Sequence, residues 1–295
     1  MKRLVVCAAL AALLAAGCGG SSRPKGPPAL VFVSVKDGDY AIFGADADGG
    51  DVHRLSSDRG EPSSPSGLFW QVEPAWSPDG TQIAFASQRD GTTHIFSMLA
   101  DGKSARRLTN TNQDDDHPTW SPDGKWIAFA REGALFRIPA RGGPATRVFK
   151  APGSAAAPAY SPDGKRIAYD YREPGFSIRE IYVVNADGTA ARRVTNLRDV
   201  STLPAWSPDG KLLAFQSNAF GGHSEIYTVP AAGGSAKRIT ITNTDAIQPA
   251  WSPDGKRLAF SRGGAIWVAE GNEETRLTPG DDNDSAPAWR PLPRK

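Results

Sequence analysis

One heptapeptide, Pro-Ala-Trp-Ser-Pro-Asp-Gly, returns along this chain and limits what it can fold into. It is complete at Pro74–Gly80, Pro204–Gly210 and Pro249–Gly255, singly changed at Pro118–Gly124 and Pro158–Gly164, and truncated at Pro287–Pro291. Successive copies begin 44, 40, 46, 45 and 38 residues apart, a period in the range of four-stranded propeller blades. A hydrophobic segment with period-two alternation follows each Asp-Gly: Ile83–Ser87, Ile127–Arg131, Ile167–Tyr171, Leu213–Ser217 and Leu258–Arg262. That alternation reads as a β-strand. A third strand comes next, including Glu180–Val183 and Glu225–Thr228, and a fourth closes each unit at Arg107-Leu108-Thr109 and its counterparts. Gly 31 and Pro 24 among 295 residues break helices and supply turns, which excludes a helical bundle.

The two ends of the repeat complement each other. Before Pro74 the chain holds strands two to four of a unit (30–34, 40–45, 52–56), and after Thr278 only a first strand, Ala286–Trp289. Joining them completes a sixth blade and removes the open edges that invite aggregation. The expected fold is therefore all-β: a six-bladed β-propeller of four-stranded antiparallel blades, closed by N- and C-terminal strands sharing one blade. The recurring Trp76, Trp120, Tyr160, Trp206, Trp251 and Trp289 are expected to pack between blades rather than to form a ligand platform. The arginines that begin the fourth strands (Arg54, Arg107, Arg147, Arg193, Arg238, Arg276) are read as scaffold, paired with the turn aspartates Asp79, Asp123, Asp163, Asp209 and Asp254.

The first residues read as an address. Met1-Lys2-Arg3 precedes thirteen apolar residues, Leu4–Ala16, too few for a membrane span of about twenty. Leu14-Ala15-Ala16-Gly17-Cys18 resembles a bacterial lipoprotein signal, in which the cysteine sulfur takes the lipid. The resemblance implies a signal peptide over 1–17, lipidated Cys18 with a flexible tether to 28, a propeller over 29–291 and a tail at 292–295. It places the protein outside the cytoplasm, anchored to the cell membrane or outer membrane, in the periplasm or at the surface. Both cysteines, Cys7 and Cys18, lie in this leader, so the propeller has no disulfide and no thiolate metal site. A formal net charge of +2 gives no reason to expect nucleic acid.

The Pro-Ala-Trp-Ser-Pro-Asp-Gly-Lys-x-Ile-Ala-Phe unit is similar to the WD-like repeat of the TolB-type six-bladed propellers of bacterial periplasmic proteins. The similarity covers about residues 30–291. It implies a lipid-anchored, TolB-like propeller without the N-terminal α/β domain of TolB.

No Gly-x-Ser-x-Gly elbow, P-loop or His-Glu-x-x-His motif occurs, so no enzyme is expected. His53, His94, His117 and His223 lie in different units. The links from each fourth strand to the next first strand (57–73, 110–117, 150–157, 196–203, 241–248, 279–286) emerge on one face beside the channel. They carry eleven acids and three bases, a sum of −8, which steers cationic partners. Asp114, Asp115, Asp116, His117, Asp199, Asp245, Asp281, Asp282 and Asp284 are the candidate docking residues for an envelope protein or peptide with a basic contact surface. The longer first link adds Phe69 and Trp70, which either bind that partner or plug the channel mouth. No cofactor is expected. Calcium suits Asp carboxylates, but Asp46-Ala47-Asp48-Gly49 and Asp282-Asn283-Asp284 lack the bidentate Glu of a calcium loop and read as turns. The alternatives are a cation-dependent propeller lactonase or lyase, and a small-ligand sensor. A monomer is expected.

Overall fold

In a computed structural model of the chain, residues 26–36, 39–56, 70–88, 91–219 and 221–292 are described. Cys18, Phe69 and the Trp70 side chain lie outside them. The strands follow one another as β1 (Leu30–Lys36), β2 (Asp39–Ala45), β3 (His53–Arg54), β4 (Trp70–Trp76), β5 (Gln82–Gln88), β6 (Thr93–Leu99), β7 (Arg106–Arg107) and β8 (Asp115–Trp120). Next come β9 (Trp126–Arg131), β10 (Ala134–Pro139), β11 (Thr146–Phe149), β12 (Ser154–Tyr160), β13 (Arg166–Arg172), β14 (Glu180–Asn185), β15 (Arg192–Arg193) and β16 (Ser201–Trp206). The last are β17 (Leu212–Ser217), β18 (Glu225–Pro230), β19 (Lys237–Arg238), β20 (Ala246–Trp251), β21 (Arg257–Arg262), β22 (Ala265–Glu270), β23 (Glu273–Arg276) and β24 (Ser285–Trp289). They form six four-stranded sheets, five of consecutive strands and one in the order β24-β1-β2-β3. The expected closure is present: Leu30 pairs with Trp289 and Val31 with Ala288, antiparallel.

The repeated heptapeptide builds the turn between first and second strands. In the first copy the Ser77 hydroxyl donates to Asp79 Oδ1 at 2.6 Å and accepts the Gln82 N–H at 2.9 Å, while Gly80, at φ 67°, donates to the Ser77 carbonyl. Only glycine takes that φ without steric cost. The Asp79, Asp123, Asp163, Asp209 and Asp254 carboxylates are all held below the usual range. For Asp79, burial opposes the shift and the Ser77 and Thr81 donors overcome it; for the others the serine hydroxyl and a backbone N–H lead. The tryptophan ahead of the turn stitches neighbouring blades: Trp76, Trp120 and Trp206 donate Nε1–H to the carbonyls of Ala288, Ala75 and Ala159, at 3.2, 3.2 and 3.0 Å.

The fourth strands correct one expectation. Their arginines do not reach the turn aspartates. Arg54, Arg107, Arg193, Arg238 and Arg276 each donate Nε–H to the carbonyl two residues on, at 2.6–2.9 Å. The residue at that position, Ser56, Thr109, Thr195, Thr240 or Thr278, accepts a third-strand N–H on its hydroxyl. A side-chain oxygen thus continues the ladder where the backbone leaves it, which explains why Arg-x-Thr recurs and why β3, β7, β15 and β19 are only two residues long.

The core lies between blades rather than within one sheet. Each hydrophobic cluster joins adjacent blades, as where Ile181 and Val183 of β14 meet Trp206, Leu213, Phe215 and Tyr227 of the next blade. Phe85, Phe129, Tyr169, Phe215 and Phe260 are buried at the blade centres.

Candidate functional site: the axial throat and its acidic face

Each of the innermost strands β4, β8, β12, β16 and β20 shifts register once, just before its proline. The residue there takes a positive φ in all six blades: Glu73 58°, His117 51°, Ala157 47°, Leu203 55°, Gln248 57° and Ala286 49°. This region is costly for residues with a Cβ. With the prolines that follow, these six residues line an axial cavity of about 150 Å³. The bulge N–H groups find acceptors on the preceding blade: His117 on Glu73 Oε2 at 2.6 Å, Gln248 on Gln216 at 2.9 Å and Ala286 on Gln248 at 2.9 Å. Leu203 makes a longer bond to Asp170 at 3.4 Å.

One side of this throat is charged and the other uncharged. His117 Nε2 lies 2.8 Å from Glu73 Oε1, and its Nδ1 lies 3.0 Å from Asp116 Oδ1. Burial disfavours the imidazolium, but Glu73 and Asp116 more than offset it and hold the His117 pKa well above its ordinary value. Asp170 is buried behind this group and bonded to Arg179. Burial pushes its carboxyl up against the opposing pull of Arg179 and His117. Ala157, Leu203, Gln248 and Ala286 complete the uncharged side.

The candidate docking residues separate into distinct environments. Asp115 is fully buried and chelated by Arg131, with Nε to Oδ1 at 2.5 Å and Nη2 to Oδ2 at 2.9 Å. Asp284 is buried as well. Neither reaches the surface on which both were expected, because the bulge turns this position of the first strand inward. Asp114 and Asp245 accept the Thr93 and Ser224 N–H groups, each at 2.7 Å, and so hold the outer loops. Asp116 and His117 join Glu73 at the throat, whereas Asp199 accepts the Val200 N–H at 2.7 Å on its own link. Asp281 is exposed and Asp282 half-buried. The Asp46–Gly50 segment closes as a hydrogen-bonded turn, as expected. Among the described residues, no group of three or more His, Cys, Asp or Glu is arranged to hold a metal ion.

Several working residues escape a reading by type and spacing. Arg131 and Arg179 neutralise the buried acids, Glu180 and Glu225 pair with Arg193 and Arg238, and Gln248 bridges blades. The signal for the throat was the position before each proline, whose residue type varies from blade to blade while its surroundings repeat.

Solved structures share this architecture. TolB from Acinetobacter baumannii superposes with a TM-score of 0.73 at 20% identity over 89% of this chain, which spans 66% of that one, just under two thirds. A chain of a nidogen/laminin complex gives 0.71 at 10% identity, covering 90% of this chain and 99% of that one. Oligogalacturonate lyase in complex with manganese gives 0.53 at 16% identity, covering 70% and 64%. At these identities the likeness is one of fold. A comparison with curated protein sequences finds no match. Residues 66–151 and 141–294, most of the chain, match the family model of the TolB beta propeller domain, and the chain therefore belongs to that family.

Proposed function

We propose that the protein is a non-enzymatic lipoprotein of the bacterial cell envelope, held by lipidated Cys18, whose propeller docks a protein or peptide with a basic contact surface. The envelope location draws on the Leu14–Cys18 segment. The observation that carries the docking reading is the size of the throat. At about 150 Å³ it is smaller than ordinary small-molecule pockets, which begin near ~300 Å³. It accepts one side chain or chain end rather than a whole substrate. Around it, Asp116, Asp199, Asp281 and Asp282 remain at least partly exposed on the link face, where like charges steer a cationic partner. A solved propeller of this fold within a protein complex, that of nidogen and laminin, supports the same kind of use.

The test is a crosslinking pull-down from native membranes, comparing the protein with a version carrying Asp116, Asp199, Asp281 and Asp282→Asn. A partner lost only from the altered protein supports docking at this face; the same partners in both overturn it. The manganese-bound lyase of the same fold favours a second reading, a cation-dependent enzyme. Metal analysis of the purified protein separates the two.

A further inference from the structure

The loop between β13 and β14 comprises residues 173–179. Its counterpart between β17 and β18, residues 218–224, is as long, whereas those between β9 and β10 and between β21 and β22 are two residues long, 132–133 and 263–264. At the outer edge of the 173–179 loop Phe176 is 58% exposed. Between this loop and the sheet lies a cavity of about 110 Å³, room for three or four waters at ~30 Å³ each.

Two of the cavity walls are aromatic and nearly perpendicular. Tyr171 and Tyr182 have ring centroids 5.1 Å apart and planes at 68°. Both are fixed from outside: the Tyr171 oxygen accepts the Gly153 N–H at 2.9 Å, and the Tyr182 hydroxyl donates to Glu173 Oε1 at 2.6 Å. Phe176 supplies a third ring. Tyr171 is the local exception, since Ser87, Arg131, Ser217 and Arg262 occupy its position in other blades. This exception and the long loop meet at one cavity. Tyr171 also packs in the buried cluster beneath the cavity, and local exceptions to a repeat are where function is expected.

The charge balance selects the occupant. Glu180 and Arg193 also line the cavity, but they lie 2.5 Å apart as an ion pair and Thr195 donates to Glu180, so these two charges meet each other. Arg193 itself is held by the Thr195 carbonyl in the recurring fourth-strand arrangement. Glu173 has no ion-pair partner among the described residues and lies at the exposed rim. Aromatic faces beside an unneutralised carboxylate attract a weakly hydrated cation. We propose that this cavity is an aromatic cage for a quaternary ammonium group, carried by a free small cation such as choline or betaine, or by a choline lipid headgroup. This site is separate from the throat and does not rest on the docking reading.

The test is calorimetric titration of the purified full-length protein with tetramethylammonium chloride and with choline chloride. The expected result is saturable binding with a millimolar dissociation constant, weakened about tenfold by Phe176→Ala and by Glu173→Gln. Both residues are exposed, so both variants should keep the parent melting temperature, and a variant that melts early is replaced by Phe176→Leu. The neutral isostere 3,3-dimethyl-1-butanol should bind at least tenfold more weakly than choline, by about the cation's contribution. Equal binding of the isostere, or no saturation by either cation up to about 50 mM, overturns the proposal. Sedimentation with phosphatidylcholine vesicles but not phosphatidylglycerol vesicles assigns the lipid headgroup as the source; binding of choline without vesicle association assigns the free cation.

Discussion

Replacing Asp115 by Asn should destabilise the protein severely, whereas the same change at its neighbour Asp116 should not. Asp115 is 0% exposed and Arg131 9%, and two hydrogen bonds join them. The Arg131 guanidinium also lies 5.1 and 4.9 Å from the Phe129 and Phe136 ring centroids, so it cannot swing out to water without losing those contacts. Asp115→Asn leaves a buried cation without its counter-charge, which typically costs about 3–5 kcal/mol. At roughly 2–4 °C per kcal/mol for a domain of this size, the melting temperature should fall by about 6–20 °C. The Asp116 side chain is 44% exposed, and its loss should cost about 1 kcal/mol or less. Thermal unfolding followed by tryptophan fluorescence measures both. The double change Asp115→Ala, Arg131→Met should recover most of the loss, because it removes both charges together. Equal melting temperatures for Asp115→Asn and Asp116→Asn would refute the argument and return Asp115 to the docking face.

Thr240→Val removes the hydroxyl that accepts the Ile226 N–H at 2.9 Å and donates to Glu225; a buried group left unsatisfied should cost about 1–3 kcal/mol in urea unfolding, with Thr240→Ser close to the parent. Ala286→Gly should leave the melting temperature unchanged or raise it, since Ala286 sits at φ 49°, whereas Ala168→Gly in the buried part of β13 should lower it. Because the folded pKa of His117 is raised, its stabilisation is fully present below the unfolded value near 6.5 and fades as pH rises through the folded value. Urea midpoints of His117→Gln should therefore lack the decline that the parent shows on going from pH 6 to alkaline pH, a span of about three units.

The blade count and the closing seam were legible because they follow from spacing. Turn chemistry at Ser-Pro-Asp-Gly sets register, and each later strand simply alternates. Asp115 was misplaced on the acidic face for a local reason. Counting back from Trp120 with period two places Asp115 outward, but the extra residue at His117 reverses the faces beyond it, so Asp115 pairs across the ladder with Arg131. Nothing in Asp-Asp-Asp-His distinguishes the carboxylate that is buried from the one that clasps His117. The arginine pairing with turn aspartates failed differently. Both residues repeat once per blade, yet the arginine finds a closer acceptor two residues along its own chain. The aromatic cage was hidden because Tyr171 reads as one more strand residue until its neighbours are known.

The seam between β24 and β1 has a mechanical consequence. The chain enters β1 beside the point where it leaves β24: Leu30 pairs with Trp289, and the Arg290 N–H donates to the Ala29 carbonyl at 2.8 Å. Tension applied between the two ends therefore acts across the ladder and not along it. The hydrogen bonds are loaded one after another, as in a zipper, instead of together in shear. The ring thus has a preferred place to open under load, and opening there would expose the long edge of β1 while the remaining five sheets keep their pairing.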